Sequence, residues 1–171
     1  KVDARTGNDV KVSQDGRISV IGREGASDRK NGIIILDVSN PYDVKILSEY
    51  TKNLTGGVHN VFIDNDHVYA LSGSQRYFVI NIEDPKNPVE VGMFEVGKEG
   101  QSIHDVWIED GIAYSSNWRD GVYLVDVGNG IADGSPSNPV AFANYDYATG
   151  AHHATFQFKS NNNTNRSGWI A

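Results

Sequence analysis

The residues best suited to chemistry in this chain are imidazoles, and they recur. His59-Asn60-Val61, His104-Asp105-Val106 and His152-His153-Ala154 each open an apolar run, 45 and 48 residues apart. Asn8-Asp9-Val10 takes the same slot 51 residues before the first. Equivalent positions of a repeated β unit lie at one height around an axis, so His59, His104 and His152 are expected to come together. His153, Asp105 and Asn60, one residue on, are expected on the opposite face of the blade, as second partners or alternative ligands. Neutral imidazoles arranged this way could ligate zinc, copper or iron, and a carboxylate beside one would set its tautomer. A second use fits the same residues. A His repeated at a strand start can bridge neighbouring units by hydrogen bonds that satisfy backbone groups. Because the position belongs to the repeat, and Asn8 stands in it, the packing use is preferred; the doubled His152-His153 is what exceeds it.

Oxygen donors form two acidic loops. Asp126, Asn129 and Asp133, with Gly128, Gly130 and Gly134, make a flexible calcium candidate, and Asp64-Asn65-Asp66 a shorter one. Neither has the regular spacing and terminal Glu of a dedicated calcium loop, so ordinary turn chemistry is preferred. Asp37, Asn81 and Asp126 each sit inside an apolar strand and are expected to cap the following turn by an Asx-type bond to a backbone N–H. Trp118 and Arg119 fall at an expected loop tip, and these residue types are enriched among interface anchors; the other expectation for Trp118 is that it folds back over the edge of its unit. No Ser lies in a Gly-x-Ser-x-Gly context, and the Gly residues fall at turns and do not open helices, so nucleophilic and phosphate-cradling sites have no support.

The elements that position these residues repeat too. Leu36-Asp37-Val38, Ile80-Asn81-Ile82 and Val125-Asp126-Val127 are 44 and 45 residues apart, and each leads to an Asn-Pro loop. Short strands at a period of about 40 to 50 residues predict an all-β propeller of four-stranded antiparallel blades. The blades are expected at about 8–50, 56–96 and 102–147, with the start of a fourth at 150–171. Such a stack of about three and a half blades reads as an incomplete propeller, part of a longer chain, because closure takes about four to eight blades. Asp15-Gly16 and Asp110-Gly111 mark hairpin turns. No segment keeps helical apolar spacing. The inner strand of the fourth blade is expected at 151–158, followed by a turn at 161–165. Loops at 22–32, 73–76, 117–121 and 128–139 are the expected contact surfaces. Phe62, Trp107, Tyr69, Tyr114, Phe78 and Tyr123 read as filler between blades.

A net charge of −7 with scattered basic residues argues against a nucleic-acid surface. No apolar run reaches the length of a membrane span. Cysteine is absent, which removes disulfides and thiolate chemistry, and the Gly/Asn/Asp/Thr-rich acidic composition points to an extracytoplasmic protein.

Ile34-Ile35-Leu36-Asp37-Val38-Ser39-Asn40-Pro41, Phe78-Val79-Ile80-Asn81-Ile82-Glu83-Asp84-Pro85 and Tyr123-Leu124-Val125-Asp126-Val127 resemble the LVIVD repeat, as does Ser102-Ile103-His104-Asp105-Val106 at the inner strand. The resemblance covers about three repeats. It departs at Asn8 and Asn81 and in the enlarged loop at 130–135. It implies a bacterial, mostly exported or cell-surface β-propeller, with no single reaction attached. The expected function is a non-catalytic extracytoplasmic module whose rim loops bind a protein or glycan. A metal-dependent enzyme with its site at the channel mouth and a structural subunit of a larger assembly are the alternatives.

Overall fold

The computed structural model describes residues 6–25, 30–97, 102–146, 151–159 and 167–170. Among them there is no helix, and none therefore long and apolar enough to cross a membrane. Three antiparallel four-stranded sheets follow one another along the chain, each strand pairing with the next. The first is β1 (Thr6–Val12), β2 (Ile18–Gly25), β3 (Gly32–Asp37) and β4 (Lys45–Tyr50); the second is β5 (Val58–Asp64), β6 (His67–Ser72), β7 (Arg76–Asn81) and β8 (Val89–Glu95). The third is β9 (Asp105–Glu109), β10 (Ile112–Ser116), β11 (Val122–Asp126) and β12 (Val140–Tyr145). A two-stranded hairpin of β13 (Phe156–Lys159) and β14 (Ser167–Ile170) ends the described chain.

The repeat extends to a defect. Each sheet carries one register shift between its third and fourth strands, at Ile35/Leu36, Val79/Ile80 and Leu124/Val125. A bulge inserts an unpaired residue and increases twist, so all three sheets bend at the same place.

Alternation of side chains across a strand makes the middle sheet the centre of the packing. Val68, Ala70, Phe78 and Ile80, with Val61 of β5, face the first sheet, where they meet Val20, Ile33 and Ile35. Tyr69, Leu71, Tyr77 and Val79 face the third, against Val106, Ile108, Ala113 and Val125. Because both faces are covered, β6 and β7 read as continuous apolar runs. Of the aromatic residues expected to fill these interfaces, Tyr69, Phe78 and Tyr114 are buried and Phe62 and Tyr123 pack at the margin. Trp107 is the exception, 40% exposed with its ring edge-on to Phe62 at 5.0 Å.

The first strands of the sheets are neighbours. β1 lies beside β5, β5 beside β9, and β13 reaches β9. This brings the repeated polar residues at their N-terminal ends within reach of one another. Two expectations shift. The charged stretch at 22–32 begins as strand, since β2 continues to Gly25, and Arg23 is buried with an ion pair to Glu49 at 3.0 Å. Residues 151–155 are not strand apart from one bridge, His152 to Trp118. The middle of the 22–32 segment and the expected turn at 161–165 lie outside the described residues.

Candidate functional site

At the N-terminal ends of β5 and β9 the repeated residues form two polar ladders running across the sheets. The first joins Asn8, His59, His104 and His153. Nδ2 of Asn8 lies 2.6 Å from Nδ1 of His59 and 3.3 Å from Oε2 of Glu24. Nδ1 of His59 also meets Oε1 of Glu24 at 2.9 Å, and its Nε2 lies 3.2 Å from Nε2 of His104. Nδ1 of His104 is 3.0 Å from the carbonyl oxygen of His153.

The second ladder is one residue out of step. Oδ2 of Asp9 accepts from Nδ2 of Asn60 at 3.0 Å and from the Val61 N–H at 3.2 Å, while Oδ1 of Asn60 faces the Val106 N–H at 3.4 Å. Lys11 pairs with Asp9 at 2.7 Å. Asp105 belongs to this ladder. Its Oδ1 accepts from the Val106 N–H at 2.8 Å, and burial, together with the nearby Asp9 charge, raises its pKa against the opposing pull of that N–H, Lys11 and His104.

The third imidazole is a correction to the sequence expectation. His153, and not His152, completes the cluster with His59 and His104. The N–H of His152 donates to the Trp118 carbonyl at 2.7 Å, and its Nδ1 lies 3.0 Å from the same oxygen. That clamp buries the His152 ring, and the next residue is presented to His104 instead, with ring centroids 4.1 Å apart.

Trp118 closes the cluster. Its indole stacks on His104 at 4.3 Å and 12° and stays 37% exposed, and its φ of 27° is one that a bulky side chain rarely adopts. Such a conformation persists where its surroundings impose it, and it concentrates at functional positions. Here the imposing contacts are the His152 clamp on its carbonyl and the Asn117 N–H bond to Gly121 O at 2.8 Å just before it. Arg119, next in the chain, is exposed. The imidazole of His104 is pushed below its ordinary pKa by burial and by the neighbouring His153 and His59, against the bond to the His153 carbonyl.

Glu24 was not among the residues singled out in the sequence. It has no counterpart in the other repeats and sits in a stretch of mixed charge. The signal that could have found it is Gly57, two residues before His59. At φ 95° a Cβ there would meet the Glu24 carbonyl at 2.7 Å, so a glycine lets the start of β5 lie against Glu24.

The oxygen-rich loop after β11 is built differently. Oδ1 of Asp126 accepts from the N–H groups of Gly128, Asn129 and Gly130, and Oδ2 from those of Ala132 and Gly134, all between 2.7 and 3.2 Å. Burial would raise the pKa of Asp126, but the backbone donors outweigh it and hold the carboxyl far below the usual range. Five N–H dipoles aimed at one carboxylate leave it no lone pair for calcium. Asn129 turns its amide to the Asp110 carbonyl at 2.8 Å, and Asp133 is exposed at φ 57°. Asp126, Asn129 and Asp133 therefore do not converge as ligands, and the loop folds around Asp126 alone. Among the described residues no group of three or more His, Asp or Glu side chains is arranged to hold a metal ion.

An open cleft of about 1640 Å³ lies at the far ends of the same inner strands, among Asp15, Asp64, Asp66, Glu109 and Asp110, with Trp107 in its wall. No protein-family model matches this chain, and no curated protein matches it.

Proposed function

We propose that the three sheets are blades of an extracytoplasmic β-propeller and that this module binds a glycan, without catalysis, at the surface carrying Trp118. The propeller reading is supported by the in-register bulges, the side-by-side inner strands and the resemblance to the LVIVD repeat. The observation that carries the binding reading is Trp118 itself: a bulky residue held at φ 27°, its indole backed by His104 and still 37% exposed. An aromatic platform offers a sugar ring a flat apolar face. Planar polar groups at its margin supply the directional bonds that such sites use for orientation. Here those groups are the exposed His153 and Arg119. The loop is held by bonds on both sides of Trp118, so little ordering remains to be done when a ligand arrives.

The test is retention on a panel of immobilised glycans, followed by titration of the best ligand against indole fluorescence. Trp118→Ala should abolish binding and Arg119→Ala should weaken it roughly tenfold, the loss of one good polar anchor. Binding undiminished in Trp118→Ala would sink the proposal. So would a panel with no ligand while a purified protein partner binds at this loop.

A further inference from the structure

His59 and His104 meet nitrogen to nitrogen, Nε2 to Nε2 at 3.2 Å, and the groups on their other nitrogens decide what that contact is. Nδ1 of His59 is 2.9 Å from the Glu24 carboxylate, which only accepts. Nδ1 of His104 is 3.0 Å from a backbone carbonyl, which likewise only accepts. Both rings are thereby drawn to carry their proton on Nδ1, leaving two Nε2 lone pairs turned toward each other. The Asn8 amide at 2.6 Å from Nδ1 of His59 joins this state by turning its oxygen toward the ring, a flip that gives up its 3.3 Å donation to Oε2 of Glu24.

Two facing lone pairs repel unless a cation joins them. A proton held between the two Nε2 atoms is one such cation. A metal ion fits the spacing: with metal–nitrogen bonds of about 2.0–2.1 Å, nitrogens 3.2 Å apart subtend about 100° at the metal, between the square-planar and tetrahedral angles. The bonds on the outer nitrogens are those that orient metal-bound imidazoles, one to a carboxylate and one to a backbone carbonyl.

We propose that His59 and His104 are paired ligands for a divalent first-row transition metal ion of the imidazole-preferring kind, zinc or copper, with Glu24 and the His153 carbonyl as the groups that orient them. Two protein ligands leave the other coordination positions to water or to a small exogenous ligand. The centre is therefore open, and it is weaker than a three- or four-ligand site. This site stands whether or not Trp118 binds a glycan.

The experiment titrates the full chain, stripped of metal, with Cu²⁺ and with Zn²⁺ by calorimetry, and records the electron paramagnetic resonance of the Cu²⁺ form. One ion per chain is expected, with hyperfine coupling from two imidazole nitrogens. Affinity should fall at least tenfold in His59→Ala and in His104→Ala, and about tenfold in Glu24→Gln, the usual effect of removing an orienting partner. It should be unchanged in His67→Ala, which alters a residue at the start of β6, at the other end of its sheet. Circular dichroism checks that each variant folds, and the isosteric Glu24→Gln carries the test if a histidine variant does not. The proposal is overturned by the absence of stoichiometric binding, by equal affinity in the His59→Ala/His104→Ala double variant, or by loss of binding in His67→Ala. It is equally overturned if nitrogen-15 NMR shows a proton shared between the two Nε2 atoms that added metal does not displace.

Discussion

Two polar series recur at the same period in this chain, at opposite ends of the same sheets, and they behave in opposite ways. Asp37, Asn81 and Asp126 turn inward on their own loops. Their oxygens accept from the N–H two residues ahead, at Ser39, Glu83 and Gly128, each at 3.0 Å. Asn8, His59, His104 and His153 instead reach across sheets, with partners 45 to 51 residues away in the chain. A series that is satisfied within its own turn is architecture. One that is satisfied across sheets, by its counterparts and by Glu24, gathers several functional groups at one place, and chemistry can follow from that.

The contrast breaks most visibly at Asp126. Replacing it with Ala orphans five backbone N–H groups in a loop whose carboxylate is fully buried, and equilibrium denaturation should show a loss of about 3 kcal/mol. The pH dependence has a definite sign. The folded pKa of Asp126 is depressed, so its contribution is complete above the ordinary carboxylate value near 4 and drains away as pH falls toward the folded one. Asp126→Ala should therefore flatten the acid side of the stability curve. If stability below about pH 4 falls as steeply in the variant as in the parent, the loop is not organised around this carboxylate.

A smaller effect sharpens the cross-sheet side. A double-mutant cycle of Asp9→Ala and Asn60→Ala should return a coupling of about 0.5–1 kcal/mol, because their 3.0 Å bond joins β1 to β5. A coupling of zero would mean that the second ladder aligns the sheets without holding them. The smallest effect belongs to Asn81→Ala. It removes one acceptor from a half-exposed turn, and the melting transition should report about 0.5 kcal/mol or less. A larger loss there would erase the distinction between the Asx turns and the ladders.

Much of the fold was legible in the sequence because its cause is local and repeated. Ile33-Ile34-Ile35-Leu36 and Tyr77-Phe78-Val79-Ile80 are unbroken apolar runs because both their faces are covered, and the strands stand where that pattern puts them. The Asx turns were legible for the same reason, since acceptor and donor are two residues apart. The site was only half legible. The period locates His59 and His104, yet it points to His152 where the structure uses His153, because the chain at 151–155 leaves the strand pattern and is clamped to Trp118. Glu24 was invisible because nothing in its own repeat marks it. What marks it is the close approach of Gly57 from the next sheet.

By itself, then, the sequence determined the sheets, their order and the height at which polar residues recur, since hydrophobic period and turn chemistry act over a few residues. Only the tertiary structure decided which nitrogen of each imidazole faces its neighbour, that Trp118 is held in a left-handed conformation over His104, and that Asp126 is encircled by backbone donors. Those outcomes depend on distances between residues tens of positions apart, and such distances are set by how the sheets pack.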